Sequence, residues 1–97
     1  MQDCKAFANN TVLASVSIPA TVTKIGNGAF YGCNGLSSIT LPESVKEIGA
    51  MAFQNCRGLM LVNGIEHVEH FGTQAFYQSG ITNLNLQSAK TIGDFAF

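Results

Sequence analysis

A repeat solenoid, with short parallel strands stacked coil upon coil, is the fold class this sequence predicts. Three observations lead there. The dipeptide Ala-Phe recurs at Ala6-Phe7, Ala29-Phe30, Ala52-Phe53, Ala75-Phe76 and Ala96-Phe97, at intervals of 23, 23, 23 and 21 residues. Other apolar positions ride on the same lattice: Leu13, Leu36 and Leu59; Val16, Ile39 and Val62; Val22, Val45 and Val68; and Ile25, Ile48 and Phe71, each of the last three followed by glycine. No segment has the length and period of an ordinary helix. Self-similarity at such a period marks a stacked array.

Each part of one unit has a local reason. Ile39-Thr40-Leu41 alternates two inward side chains with one outward, the pattern of a short strand. Pro42 ends it, because proline lacks the donor a sheet needs. Val45 and Ile48 follow at spacings of three, which suits a chain turning corners with one inward residue per side. Gly49 is expected to permit the bend after Ile48 through a positive φ. Ala52-Phe53 and the polar residues after it suit a single helical or 3₁₀ turn. The fourth unit keeps this order with two single-residue deletions, through Ile81, Leu84, Leu86, Ala89, Ile92 and Gly93. One unit buries too little to order itself, so coils must stack, with strands parallel at ~4.8 Å. Phe7, Phe30, Phe53, Phe76 and Phe97 then form an inner column. Residues 1–97 make one domain of about four coils.

Composition narrows the function. The 97 residues carry five Lys plus Arg and six Asp plus Glu, a formal net charge of −1. That argues against a nucleic-acid binder and against electrostatic adhesion to anionic membranes. Charged residues are 11% and hydrophobic residues 46%, which excludes a disordered segment. No apolar run is long enough to span a bilayer. Asp3, Lys5, Asn9 and Asn10 leave no apolar region for a secretory signal, so either an intracellular protein or a piece of a longer one is expected.

The pattern Leu36-x-x-Ile39-x-Leu41-Pro42-x-x-Val45-x-x-Ile48-Gly49-x-x-Ala52-Phe53-x-x-Cys56 resembles the 23-residue leucine-rich repeat of the BspA-like, or Treponema-type, class, and the likeness covers essentially the whole chain. The resemblance implies a right-handed superhelix with a parallel β-sheet on its concave face. It also implies a segment of a cell-surface or secreted microbial protein concerned with adhesion. No catalytic residue belongs to the repeat, so an enzyme is not expected. Two departures stand out. Gly64 and Ile65 occupy the slots of Leu41 and Pro42, which predicts a shifted or bulged strand. Neither end shows a polar cap, so a fragment of a longer array or an open-ended assembly is expected.

The outward strand positions are Ser15, Ser17, Ser38, Thr40, Leu61, Asn63, Asn83 and Asn85. They form an uncharged hydrogen-bonding face suited to a protein or glycan ligand, although Ser, Thr and Asn also simply solvate a sheet. Charges stack elsewhere, as Lys46, Glu69 and Lys90 beside Lys24, Glu47 and His70, and read as register-setting surface pairs. Glu66-His67-Val68-Glu69-His70 invites a metal reading but matches neither zinc-helix motif, and its histidines fall in the slots of Ser44 and Glu47. No metal and no cofactor is expected.

Cys33 and Cys56 share a slot with Asn10 and Ser79, which favours buried thiols over a disulfide between coils; Cys4 lies off the lattice. Tyr31 and Tyr77 are expected on the convex side, and Asn9-Asn10-Thr11 is a glycosylation sequon of the kind that arises by chance. The expected function is a non-enzymatic protein- or glycan-binding module. The alternative is a structural repeat that associates end to end into a filament or stalk.

Overall fold

The computed structural model describes residues 15–82 and 84–97. Phe7, Leu13, Cys4, Asn83 and the sequon at Asn9 lie outside the described residues. Seven strands are present among those described: β1 (Ser15–Ser17), β2 (Lys24–Ile25), β3 (Ser38–Thr40), β4 (Glu47–Ile48), β5 (Leu61–Asn63), β6 (His70–Phe71) and β7 (Thr91–Ile92). They pair in two sheets, β1-β3-β5 and β2-β4-β6-β7. Every pairing is parallel.

The register follows the sequence lattice. Val16 pairs with Ile39 and Ile39 with Val62. Ile25 pairs with Ile48, Ile48 with Phe71, and Phe71 with Ile92. Equivalent apolar residues thus lie over one another, and Ile25, Ile39, Val45, Ile48, Val62 and Val68 are buried in one cluster. The phenylalanines stack as expected: ring centroids are 5.1 Å apart from Phe30 to Phe53, 4.9 Å from Phe53 to Phe76 and 5.3 Å from Phe76 to Phe97. The planes are nearly parallel, within 6°. Phe71, standing where Ile25 and Ile48 stand below it, tilts against both Phe76 and Phe97.

The Ala-Phe side differs from a continuous helical turn. The N–H groups of Gly28, Phe30 and Gly32 donate to the carbonyls of Ala50, Ala52 and Gln54 in the next coil. Those of Ala29, Tyr31 and Cys33 donate back three residues, to Gly26, Gly28 and Phe30. The next coil repeats the alternation, with Met51, Phe53 and Asn55 donating to Thr73, Ala75 and Tyr77. A 3₁₀-type bond therefore forms at every second residue, and the others are drawn off into the ladder between coils. The alternation requires left-handed residues: φ is positive at Gly28 and Gly32 and at their equivalents Met51 and Asn55, then Gln74 and Gln78. A side chain there costs roughly 1–2 kcal/mol, which the ladder offsets.

Two other expectations need correction. Gly49 does not have a positive φ. It is glycine because a Cβ there would lie 2.7 Å from the Asn27 main-chain nitrogen. Gly72 and Gly93 meet the preceding coil in the same way. The glycine column is thus a matter of close approach between coils. Nor is β5 shifted, since Leu61, Val62 and Asn63 hold register with Ser38, Ile39 and Thr40. The irregularity follows the strand instead. Gly64 takes φ 91° against the Leu41 carbonyl, and Ile65–His67 forms a 3₁₀ turn. Ile65, 3% exposed, thereby fills the role of Leu41 one residue late.

Phe53 is fully buried between two parallel rings. Replacing it with alanine should lower the unfolding free energy by ~3–5 kcal/mol, measured by denaturant titration, and an unchanged midpoint would contradict the stacked column.

Candidate functional site

The face of β1-β3-β5 is built by alternation. Ile39 and Val62 point inward and are buried, so their neighbours point out: Ser38 is half-buried, and Thr40, Leu61 and Asn63 are exposed. Ser15 and Ser17 pair with Ser38 and Thr40 and occupy the equivalent strand positions. Asn63 Nδ2 donates to Thr40 Oγ1 at 3.3 Å, a cross-coil bond between polar side chains. Leu61 adds an apolar spot, 49% exposed. No ionisable side chain stands at these strand positions.

Asn85 does not extend this sheet. Residues 84–86 form no strand, and among the described residues β5 has no strand partner on its far side. Among its described residues the fourth coil contributes β7 to the other sheet and no strand to this one. Asn85 Oδ1 instead accepts from the Gln87 N–H at 3.1 Å. Between β5 and the loop lies a groove of about 360 Å³, lined in part by Leu61, Asn63, Gly64, Glu66, Leu84 and Asn85. The expected site included Leu61, Asn63 and Asn85 but not Leu84, Gly64 or Glu66. The two deletions after Phe76 and the Gly64-Ile65 departure were the available signals for them.

The second sheet carries the charges. Lys24 Nζ lies 3.2 Å from a Glu47 carboxylate oxygen, and Lys90 Nζ lies 3.5 Å from Glu69. His70 Nδ1 is 2.8 Å from Thr91 Oγ1. These contacts join side chains one coil apart, as cross-strand neighbours do. Beside them lies a shallow concavity of about 460 Å³ over Glu47, Gly49, His70, Gly72 and Thr91. His67 is in the 3₁₀ turn and His70 in β6; Glu66 pairs with His67 across 3.7 Å. Among the described residues no group of three or more His, Cys, Asp or Glu is placed to hold a metal ion. No helix among them is long and apolar enough to cross a membrane.

Cys33 and Cys56 are buried thiols, neither of them in a disulfide. Cys56 Sγ donates to the Phe30 carbonyl at 2.9 Å, tying one coil to the previous one. Burial pushes its pKa from 9.0 up to about 12, with the neighbouring main-chain N–H of Cys33 opposing that rise. Tyr31 and Tyr77 lie half-buried on the Ala-Phe side, where Tyr31 accepts from Asn55 Nδ2 at 3.4 Å and Tyr77 meets the edge of Phe95.

Short parallel strands, a repeated inward column and turns bonded from coil to coil are the architecture of a leucine-rich repeat array. A family model described as "BspA type Leucine rich repeat region (6 copies)" matches residues 3–97, and the chain belongs to that family. It is also similar to a solved leucine-rich repeat protein from Bacteroides ovatus ATCC 8483, with 31% identity and a TM-score of 0.90 over 98% of this chain. The chain spans 25% of that protein's length. No curated protein gives a match.

The raised Cys56 pKa makes a signed expectation. The unfolded thiol ionises near 9 while the folded one stays protonated to about 12. Its stabilising contribution is therefore complete below pH 9 and declines as pH rises from 9 towards 12. Cys56→Ser should flatten the loss of stability measured over that alkaline range; identical pH profiles for the two proteins would refute the burial effect.

Proposed function

We propose that this chain is a non-enzymatic interaction module of a microbial surface or secreted protein, contacting a protein or glycan through the β1-β3-β5 face. The family is one of protein-interaction repeats, and array proteins of this kind bind through an extended sheet face. The observation that carries the reading is segregation of chemistry between the two sheets. One holds paired charges, and the other presents Ser38, Thr40, Leu61 and Asn63 without a charge. Hydroxyls and amides cost less to desolvate than charges, provided the partner hydrogen-bonds them. Arrays of glycans and purified extracellular proteins provide the test. Ser38→Arg combined with Thr40→Arg should weaken a hit at least about tenfold, equivalent to ~1.4 kcal/mol, with the melting temperature preserved. Unchanged binding would remove the contact from this sheet.

A further inference from the structure

The fourth coil opens the first sheet without disturbing the second. It is two residues shorter than the others, and the deletions fall on either side of residues 81–86. Phe97 and β7 stay on the lattice, stacked on Phe76 and paired with β6. In the segment between the deletions Leu84 and Asn85 form no strand, while Ile81 and Leu86 on either side of them still pack against the core; Leu84 is 42% exposed and its counterpart Val62 7%. What separates this segment from β5 is the groove of about 360 Å³.

The lining says what fits. Val62 and Ile65, both buried, lie on its inner side. Leu61 and Leu84 expose apolar surface to it, and Asn63 and Asn85 add amides. Among the described residues Glu66 is the single charge of the lining, and its ion-pair neighbour is the His67 ring at 3.7 Å. No aromatic side chain among the described residues lines the groove to stack on a sugar ring. Along one side runs the edge of β5, with no strand partner among the described residues. A strand edge offers main-chain donors and acceptors at the spacing of another extended chain.

We infer that this groove binds an extended peptide segment of a partner protein, with an apolar side chain between Leu61 and Leu84 and a Lys or Arg directed at Glu66. The inference rests on the interaction-module reading above and supplies its ligand class: polypeptide, in strand conformation, with local positive charge. Main-chain bonding to β5 supplies affinity, while the leucines and the carboxylate supply selectivity.

The test uses the whole chain labelled with ¹⁵N and two short synthetic peptides. Both alternate Val and Thr; one has a central Lys, the other Glu in its place. Titrating the Lys peptide to millimolar concentration should shift the amides of Leu61, Asn63, Gly64, Glu66 and Leu84. It should bind about fivefold more tightly than its Glu twin, the ratio one exposed charge contact of ~1 kcal/mol gives. Glu66→Gln, nearly isosteric and on the surface, should bring that ratio close to one while leaving the amide spectrum folded. Leu84→Ala should weaken both peptides. Shifts confined to Ser38 and Thr40 would overturn the groove and leave the sheet-face reading standing. Groove shifts that grow with protein concentration alone would assign the occupant to a second copy and overturn the peptide. Absence of any shift would overturn the inference as well. Ser38→Arg with Thr40→Arg separates the two readings at Glu66 and Leu84: it obstructs the sheet face and removes the Thr40 partner of Asn63, but neither substituted residue lines the groove.

Discussion

Coil-to-coil equivalence is the constraint on which everything else depends. Phe30, Phe53 and Phe76 stack at about 5 Å with almost parallel planes, and that spacing is the one parallel strands adopt. The two requirements reinforce each other. A main-chain ladder sets the rise per coil, and the ring stack fills the interior at the same rise. Once both hold, each side chain is confined by the residue one coil away. Glycine is demanded where main chains approach, at Gly49 and Gly72, and small polar or thiol groups where a side chain must reach a neighbouring carbonyl, as Cys56 does.

The ladder also explains why this chain contains so little regular structure for so ordered a core. On the Ala-Phe side, alternate N–H groups bond within the coil and between coils. A helix needs all of them within the coil, so the inter-coil bonds and the helix exclude each other. Met51, Asn55, Gln74 and Gln78 accept a left-handed conformation that glycine holds at Gly28 and Gly32. Local preference yields there to the array, the ordinary outcome when tertiary bonding outweighs a cost of roughly 1–2 kcal/mol.

The lattice is broken in the fourth coil. A shortened fourth coil keeps its place in the phenylalanine column and in the charged sheet, both of which lie beyond the deletions. Between the deletions Leu84 and Asn85 form no strand, while Ile81 and Leu86 keep their packing against the core. Among the described residues the neutral sheet consequently ends at β5 and faces a groove, while the charged sheet gains a fourth strand. Ser38, Thr40 and Asn63 stand outward because simple alternation places them there. Leu84 and Glu66 are drawn to the groove by two irregularities that no alternation rule describes.

Much was therefore legible from spacing alone: parallel strands, the inner column, the pairing of Lys24 with Glu47, the buried thiols and the outward residues of β3 and β5. All of these follow from one premise, that identical spacing implies vertical neighbours, and that premise is set by the sequence. The positions of Asn85, Ile65 and the Ala-Phe turns were decided only by the tertiary structure. Asn85 lost its strand because two missing residues shorten the path around the coil. Ile65 took over from Leu41 because Gly64 could turn left-handed against a neighbouring carbonyl. Both depend on how far the chain must travel to meet the coil beneath it, a distance that periodicity counts in residues but only packing expresses in ångströms.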